Sequence, residues 1–280
     1  MDALRDRVAV ITGAGSGIGR ALALACAAEG MRVALLDLKD EGLNETASLL
    51  GLAPDAVLTS RCDVTDEAAV ERAADAVYAR FGAAHLLFNN AGVFGGGPLW
   101  TTPTAEWRWQ IDVNVMGVVH GLKSFIPRML ADGAPAHIVN TASVGGLTSP
   151  PGYSVYSATK HAVVALSECL YQDLRAQDAP IGVSVLCPAY VKTAIADERE
   201  NTVATSPGSD ILRAATRKAM DKARLSADDV ANITIDGIKR ERFYILPHLA
   251  ARAGVEWRMQ DILNDRAPTN PLTGPPDRAK

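Results

Sequence analysis

Short apolar runs alternate with longer amphipathic stretches along most of the chain. The runs are continuously apolar, which is typical of parallel strands in a sheet covered on both faces. The predicted strands are residues 7–11, 32–36, 56–60, 85–89, 136–142, 181–186 and 243–246. The predicted helices are residues 17–29, 41–50, 66–81, 104–131, 154–176 and 226–240, followed by a C-terminal helix. This order predicts a single-domain α/β fold, with a doubly wound, mostly parallel sheet and helices on both faces.

Two regions interrupt the alternation. Residues 190–224 form a long polar stretch between a predicted strand and the next helix. Connections of that length are usually lids or binding loops, so we expect a substrate lid around residues 190–225. Residues 264–280 contain four prolines, which predicts an extended C-terminal tail after a domain of residues 1–263.

The amino-acid composition and the net charge limit the kinds of molecule that the protein is expected to bind. Hydrophobic residues make up 48% and charged residues 21% of the 280 positions, as in ordinary globular proteins. The net charge of −4 disfavours nucleic acid and anionic membranes as partners. The apolar stretch at residues 21–28 is too short to span a bilayer, and the N-terminal residues contain no secretory apolar segment. The cysteines and histidines are scattered, which predicts no metal site. The scattered cysteines also favour a reduced, cytoplasmic setting. We expect the partner to be a small molecule.

A glycine cluster lies between the first predicted strand and the first helix, in the pattern T-G-x-x-x-G-x-G from Thr12 through Gly13 and Gly17 to Gly19. Glycines let the backbone approach a phosphate, and a helix N-terminus offers free N–H groups and partial positive charge. By itself the cluster is equally compatible with a plain strand-to-helix turn.

Asp37 favours the dinucleotide interpretation. It ends the second predicted strand, about 20 residues after the glycines, where an acid binds a ribose 2′-hydroxyl in Rossmann folds. A carboxylate there accepts hydroxyl hydrogen bonds and repels a 2′-phosphate. Positions 16 and 38 are Ser16 and Leu38, so no cation stands there for a phosphate, although Lys39 is close. We therefore predict NAD(H) rather than NADP(H).

Several ordered motifs resemble those of the short-chain dehydrogenase/reductase family. Besides the glycine turn, they are Cys62-Asp63-Val64, Asn89-Asn90-Ala91-Gly92, Asp112-Val113-Asn114-Val115, Val139 to Ser143, and Tyr156-Ser157-Ala158-Thr159-Lys160. The resemblance covers residues 7–246. Two positions depart from the family pattern: Ala189 follows Pro188 where the family commonly has glycine, and His85 replaces an aspartate that usually opens the fourth strand.

The resemblance implies a set of cofactor-binding residues. They are Gly13, Ser16, Gly17, Ile18, Gly19, Asp37, Leu38, Asp63, Val64, Asn90, Ala91, Gly92, Tyr156, Lys160, Pro188, Val191 and Thr193. Asp63 is expected near the adenine amino group, Val191 and Thr193 at the nicotinamide carboxamide, and Lys160 on the ribose hydroxyls.

The resemblance also implies the catalytic residues Asn114, Ser143, Tyr156 and Lys160. A free tyrosine has a pKa near ~10, too high for a base at neutral pH. Lys160 is one helical turn from Tyr156, and a nearby cation is expected to lower the tyrosine pKa. Ser143 would hydrogen-bond the substrate oxygen, and Asn114 would hold a water that links Lys160 to solvent. An isolated Tyr and Lys at this spacing are more often a surface pair.

Substrate-binding residues are expected on the loops beyond the strand ends, namely Ser143, Val144, Tyr153, Tyr156 and Tyr190. These loops offer no cluster for a charged substrate, so we predict an apolar or aromatic secondary alcohol or its ketone. Trp100, Trp107 and Trp109 are interpreted as packing residues. The open alternatives are an imine reductase or epimerase on the same fold, and a non-catalytic NAD(H) sensor. The resemblance implies a homodimer or homotetramer built on residues 104–131 and 154–176.

Overall fold

A computed structural model describes residues 4–197 and 207–275. Seven strands form one parallel sheet in the order β3-β2-β1-β4-β5-β6-β7. They are β1 (Val8–Thr12), β2 (Arg32–Asp37), β3 (Val57–Arg61), β4 (Leu86–Asn89), β5 (Ala136–Thr141), β6 (Ile181–Leu186) and β7 (Tyr244–Ile245). The strand order reverses between β1 and β4, and a crevice forms at such a switch point at the carboxyl ends of the strands.

Helices cover both faces of the sheet. They are α1 (Gly17–Ala28), α2 (Asp40–Leu50), α3 (Glu67–Phe81), α4 (Thr104–Ile111), α5 (Gly117–Asp132), α6 (Ser154–Ala176), α7 (Pro207–Asp221), α8 (Ala227–Lys239) and α9 (Arg252–Leu263). The predicted doubly wound α/β fold is confirmed. No helix in the described part of the chain is both long and apolar enough to cross a membrane.

Alternate residues of each central strand enter opposite cores. Ala9 and Ile11 of β1 pack in one apolar cluster with Leu22 of α1 and Ile235 of α8. Val8 and Val10 enter the other cluster, with α3, α5 and α6. All five residues of β1 are buried, which explains why the strand is continuously apolar in sequence.

Local signals set several helix ends. Asp66 caps α3 by accepting a hydrogen bond of 2.9 Å from the Ala68 N–H. Gly82 then ends α3 in the left-handed conformation, with φ of 78°. Ser226 and Asp229 form a reciprocal capping box at the start of α8. These short-range devices fix the lengths of the helices that flank the sheet.

The predicted helix over residues 104–131 is wrong as one continuous α-helix. A π-helical segment, Asp112–Met116, separates α4 from α5. π-Segments widen the turn, and they often occur at functional sites. The buried Asn114 side chain in this segment bonds the backbone of Val93, a long-range contact that hydrophobic periodicity does not reveal.

Residues 190–224 are not one long loop. They contain the short 3₁₀ segment Ala194–Ala196 and the helix α7, while residues 198–206 lie outside the described part of the chain. The inward face of α7 carries the buried polar residues Arg213 and Thr216 before Met220. The spacing of these residues is helical, but their polarity gave the stretch the appearance of a loop.

Residues 264–275 fold back on α9 instead of extending away. The Arg266 N–H donates to the Asp261 carbonyl at 2.8 Å, and the Thr269 N–H donates to Asp261 Oδ2 at 2.8 Å. A Cβ built on Gly274 would lie 3.1 Å from the Trp257 ring. One carboxylate and one aromatic ring therefore hold this segment, and the proline content concealed that arrangement. Residues 276–280 of the predicted tail lie outside the described part.

Candidate active site

A cleft of about 850 Å³ opens along the carboxyl ends of the strands, across the β1–β4 junction. All residues predicted to bind cofactor or substrate line it. These residues are Gly13, Ser16, Gly17, Ile18, Gly19, Asp37, Leu38, Asp63, Val64, Asn90, Ala91, Gly92, Ser143, Val144, Tyr153, Tyr156, Lys160, Pro188, Tyr190, Val191 and Thr193. Of the predicted catalytic residues, Asn114 lies behind the cleft wall and is fully buried.

The glycine turn packs against the segment that follows β4. Gly13 has φ of +65°, and a Cβ built on it would lie 2.9 Å from the Cα of Ala91. The Thr12 hydroxyl oxygen accepts hydrogen bonds from the N–H groups of Asn90 at 2.9 Å and of Ala91 at 3.0 Å. A side chain at position 13 would separate these two segments, so glycine there sets the shape of the cleft floor.

The N-terminus of α1 suits an anionic group. Gly17 and Ile18, its first residues, line the cleft. Ser16 precedes them as the N-cap but its side chain makes no capping hydrogen bond, and the first turn carries no acidic residue. The first backbone N–H groups of a helix have no partner within the helix, and the helix dipole adds partial positive charge. The turn therefore fits the diphosphate of a dinucleotide.

The Asp37 carboxylate is held at the carboxyl end of β2. Oδ2 accepts from the Gly15 N–H at 2.9 Å, and Oδ1 accepts from the Lys39 N–H at 3.0 Å. The Arg20 guanidinium lies close by, but it pairs with Glu45 at 2.6 Å and donates to the Gly15 carbonyl. This arrangement suits hydrogen bonds from ribose hydroxyls better than a 2′-phosphate.

Asp63 is oriented by a local turn. Its Oδ1 accepts from the Thr65 N–H at 2.9 Å and from the Thr65 hydroxyl at 2.8 Å. This turn lies beyond β3 at the same edge of the sheet as Asp37. The carboxylate lines the cleft, and its contact with the adenine stays a prediction.

Tyr156 and Lys160 lie one turn apart on α6, and burial acts on them in opposite directions. Lys160 is 3% exposed, its Nζ donates to the Thr141 carbonyl at 2.9 Å, and burial lowers its pKa to about 8. Burial raises the pKa of Tyr156 to about 12. Lys160 Nζ lies 5.8 Å from the centre of the Tyr156 ring. The expected lowering of the tyrosine pKa by Lys160 is therefore not found among the protein groups alone.

Ser143 ends the loop after β5 and is placed beside Tyr156. Its hydroxyl oxygen accepts from the Gly145 N–H at 3.0 Å and donates to the Pro188 carbonyl at 3.2 Å. The same hydroxyl hydrogen-bonds Tyr156, which lowers the pKa of the phenol and opposes the effect of burial. Because Ser143 has one hydrogen, it can turn that hydrogen from Pro188 toward a phenolate at Tyr156.

Asn114 joins the cleft wall to α6. Its Oδ1 accepts from the Val93 N–H at 2.8 Å, and its Nδ2 donates to the Val93 carbonyl at 3.0 Å and to the Thr159 hydroxyl at 3.1 Å. A Cβ built on Gly92 would lie 3.2 Å from Asn114 Oδ1 and 3.3 Å from Lys160 Nζ. Asn114 thus lies beside the lysine but is bonded to protein groups.

Aromatic and apolar side chains form the end of the cleft beyond Tyr156. The Phe94 ring meets the Tyr156 ring edge-to-face, with centroids 5.0 Å apart, and lies 5.6 Å from the Tyr153 ring. Other apolar residues lining this half are Val144, Pro150, Ile195, Met220, Trp257 and Leu272. Of the charged residues that line the cleft in the described part of the chain, all but Lys160 precede β5.

Sequence reasoning missed the part of this half supplied by later segments of the chain. Thr216 and Met220 come from α7, Trp257 from α9, and Pro271 and Leu272 from the segment after it. The helical spacing of the α7 residues was a usable signal. The contacts of the C-terminal segment depend on how the chain folds back, and no motif marks them.

The three tryptophans near α4 do not all pack as expected. Trp109 lines the cleft, while Trp100 is 84% exposed. Apolar character alone predicts burial, but it does not distinguish a core position from a ligand-facing wall. Elsewhere, Cys187 is buried at the end of β6 as a small apolar residue.

The site and the fold agree with a known family. A family model described as "short chain dehydrogenase" matches residues 7–204. The chain belongs to this family. A solved short-chain dehydrogenase/reductase from Burkholderia phymatum, in complex with NAD, superposes with a TM-score of 0.93 at 45% sequence identity and covers 98% of this chain and 100% of its own. The predicted NAD cofactor agrees with that complex.

Two curated members of the family are named as dehydrogenases of hydroxylated compounds. The 1-deoxy-11-beta-hydroxypentalenate dehydrogenase of Streptomyces avermitilis is 36% identical over 264 residues, covering 94% of this chain and 90% of that protein. The 2-(R)-hydroxypropyl-CoM dehydrogenase of Xanthobacter autotrophicus is 42% identical over 192 residues, covering 67% and 76% respectively. This short-chain dehydrogenase/reductase is an oxidoreductase, and the predictions of family and enzyme class are confirmed.

Proposed function

We propose that this enzyme interconverts an apolar or aromatic secondary alcohol and its ketone with NAD(H), using Tyr156 as the general acid and base. The observation that carries this proposal is that Ser143, Tyr156 and Lys160 line the cleft together where its two halves meet, with Lys160 Nζ held on the Thr141 carbonyl at 2.9 Å. One half fits a dinucleotide, and the other is walled by apolar side chains.

The choice of NAD(H) rests on Asp37. Its carboxylate is fixed by two backbone N–H groups and repels a 2′-phosphate. The nearby Arg20 is already paired with Glu45. Bound NAD would lie with its diphosphate at the first turn of α1 and its adenosine ribose at Asp37, and it supplies the acceptor or donor of hydride.

The protein residues move and stabilise the proton on the substrate oxygen. In alcohol oxidation Tyr156 accepts the hydroxyl proton, and in ketone reduction it returns a proton to the oxygen. Ser143 donates a hydrogen bond to the developing negative charge. Lys160, held on the Thr141 carbonyl, supplies positive charge near the phenol while it is protonated. Asn114 positions Val93 through two hydrogen bonds, and the water beside Lys160 that the family resemblance implies stays a prediction.

The substrate class follows from the lining of the second half of the cleft. Beyond β5, Lys160 is the one charged residue among the described lining residues, so this part of the chain offers little to bind an anionic or cationic substrate. Phe94, Val144 and Trp257 present apolar or aromatic surface instead. Such surface favours a neutral, mainly hydrophobic alcohol.

The first experiment measures NADH formation at 340 nm with a panel of secondary alcohols, for the wild-type enzyme and Tyr156→Phe. We expect Tyr156→Phe to lose at least ~10²-fold in kcat, because acid–base catalysis contributes about that much or more. We expect kcat/KM to be higher with NAD⁺ than with NADP⁺. Tyr171→Phe, on the exposed side of the same helix, is the matched control.

Near-normal turnover by Tyr156→Phe would refute the assigned role of the phenol. A preference for NADP⁺ would refute the role of Asp37, and a preference for anionic or sugar substrates would refute the substrate class. Turnover of cyclic imines without turnover of any alcohol would instead support the imine reductase alternative. Cofactor binding without any turnover would support the sensor.

A further inference from the structure

Three hydroxyl groups form a chain in the apolar half of the cleft. The Tyr153 hydroxyl lies 2.8 Å from Thr216 Oγ1 and 3.1 Å from the Tyr190 hydroxyl. The residues come from the start of α6, from α7 and from the loop after β6, and all three line the cleft. Three distant segments thus bring one hydroxyl group each to one place, which we call the hydroxyl chain.

The hydroxyl chain has more hydroxyl hydrogens than hydrogen bonds. Each hydroxyl carries one hydrogen, so the chain has three donors. Among the described residues these two contacts are the hydrogen bonds of the three hydroxyl groups. One hydrogen therefore has no acceptor within the chain.

Burial indicates which hydroxyl carries that hydrogen. Thr216 is 4% exposed and Tyr153 is 8% exposed, whereas Tyr190 is only partly buried. A buried donor without an acceptor is costly, so the favoured order is Thr216 to Tyr153 to Tyr190, with the last hydrogen directed into the cleft. Donation along a chain polarises each successive hydroxyl and strengthens the terminal donor.

The hydroxyl chain presents an uncharged hydrogen-bond donor to the cleft. Burial raises the pKa of Tyr190, so its phenol keeps its proton across the physiological range. The surrounding wall is apolar, and no cation besides Lys160 lines this half in the described part. A neutral acceptor such as a carbonyl, ether or hydroxyl oxygen suits this position better than a carboxylate.

We infer that the substrate carries a second, uncharged acceptor oxygen, remote from the reacting carbinol, and that Tyr190 donates a hydrogen bond to it from the hydroxyl chain. This inference rests on the proposed function, since it assigns the second contact point of the same substrate. It makes Tyr190 a specificity-determining residue, with Tyr153 and Thr216 as the groups that orient its hydrogen.

The test compares matched alcohols that differ in one oxygen. The pairs are 1-(4-methoxyphenyl)ethanol against 1-(4-ethylphenyl)ethanol, together with their meta isomers. Kinetics with NAD⁺ are measured for wild type, Tyr190→Phe and Tyr171→Phe. The methoxy group alters intrinsic reactivity equally in all three enzymes, so the ratio between enzymes isolates the contact.

We expect Tyr190→Phe to lose about tenfold in kcat/KM for the methoxy alcohol of the fitting isomer, as for one lost hydrogen bond, mainly through KM. For the matched ethyl alcohol, kcat/KM of Tyr190→Phe should differ from that of wild type by less than about twofold. For both alcohols, kcat/KM of Tyr171→Phe should also stay within about twofold of wild type. Thr216→Val is expected to have a smaller effect of the same kind, because it removes only polarisation. Equal losses for both twins in Tyr190→Phe, or no loss in either isomer series, would overturn the inference.

A binding measurement separates this inference from the proposed function. The corresponding methoxy and ethyl acetophenones are titrated against quenching of tryptophan fluorescence, since Trp109 and Trp257 line the cleft. A methoxy preference that Tyr190→Phe abolishes supports the inference even if no alcohol is oxidised, in which case the proposed function fails alone. Equal affinity for the two ketones in the wild type overturns the inference even if alcohol turnover is normal.

Discussion

At the scale of single residues, Tyr156 and Lys160 show that a motif identifies the reacting groups but does not give their pKa values. Burial favours the neutral form of both groups, raising the pKa of the tyrosine to about 12 and lowering that of the lysine to about 8. Ser143 hydrogen-bonds the phenol and acts in the opposite direction on Tyr156. The protein groups alone therefore keep Tyr156 protonated at neutral pH, ready to act as an acid.

This leads to a directional pH dependence. Alcohol oxidation needs the phenolate of Tyr156, whose fraction rises about tenfold per pH unit below its pKa. We expect kcat/KM for oxidation to rise from pH 6 to pH 8 and to bend near pH 8, where Lys160 loses the charge that supports the phenolate. Ketone reduction needs the protonated phenol, so its kcat/KM should not rise over that range.

Steady-state kinetics in both directions, at constant ionic strength, check this expectation. Tyr171→Phe serves as control and should reproduce the wild-type profile. An oxidation rate that is flat or falls between pH 6 and pH 8 would contradict a base with a pKa above this window.

Motif residues were predictable for a physical reason. Gly13, Asp37 and Tyr156 act through local backbone geometry or short spacing, and the structure places each of them in the cleft. Asn114 was found by its motif, but its π-helical surroundings were not, because they depend on a bond to Val93, 21 positions earlier. Tyr153 and Tyr190 were predicted singly, and their contact across 37 positions was not.

At the scale of elements, the strands and most helices follow directly from periodicity, since the central strands are buried on both faces. The elements that close the apolar half were less predictable. The buried face of α7 is polar at Arg213, which donates to the carbonyls of Phe94 and Ala196. Its register is set by long-range partners rather than by an apolar stripe.

The segment after α9 gives a prediction for Asp261→Ala. This change removes the contacts to Thr269 and Arg266 that hold residues 264–275 against α9. We expect KM for a bulky alcohol to rise about fivefold, equivalent to roughly 1 kcal/mol of lost apolar contact with Pro271 and Leu272. Turnover of a small alcohol, such as 2-butanol, should stay within about twofold of wild type because the catalytic residues are untouched.

Limited trypsin digestion provides an independent readout, because the bond after Arg266 lies in this segment. Cleavage there should be faster in Asp261→Ala than in wild type. Asp236→Ala is the matched control, since it removes a surface carboxylate paired with Arg240 at 2.8 Å. Unchanged digestion together with unchanged KM would show that Asp261 does not anchor the segment.

At the scale of the whole molecule, assembly remains a prediction. Apolar side chains are exposed on α4, the π-segment and α5, namely Ile111, Met116 and Leu130. These are the regions that the family resemblance implies for subunit contacts. We expect light scattering after size exclusion to give two or four times the chain mass of 29.6 kDa. Met116→Lys should lower that mass, whereas Leu99→Lys, on the loop before α4, should not. A monomeric wild-type mass would exclude this arrangement.

The fold-back of residues 264–275 also means that the two walls of the cleft are completed at different times during synthesis. Every group proposed to hold the dinucleotide occurs by Thr193, whereas Trp257, Pro271 and Leu272, which complete the opposite wall, are synthesised later. Proteolysis or premature termination after α9 would accordingly remove part of the alcohol-facing wall while sparing the nucleotide-facing residues. Loss of residues 264–275 would broaden the range of alcohols accepted before it weakened affinity for the coenzyme.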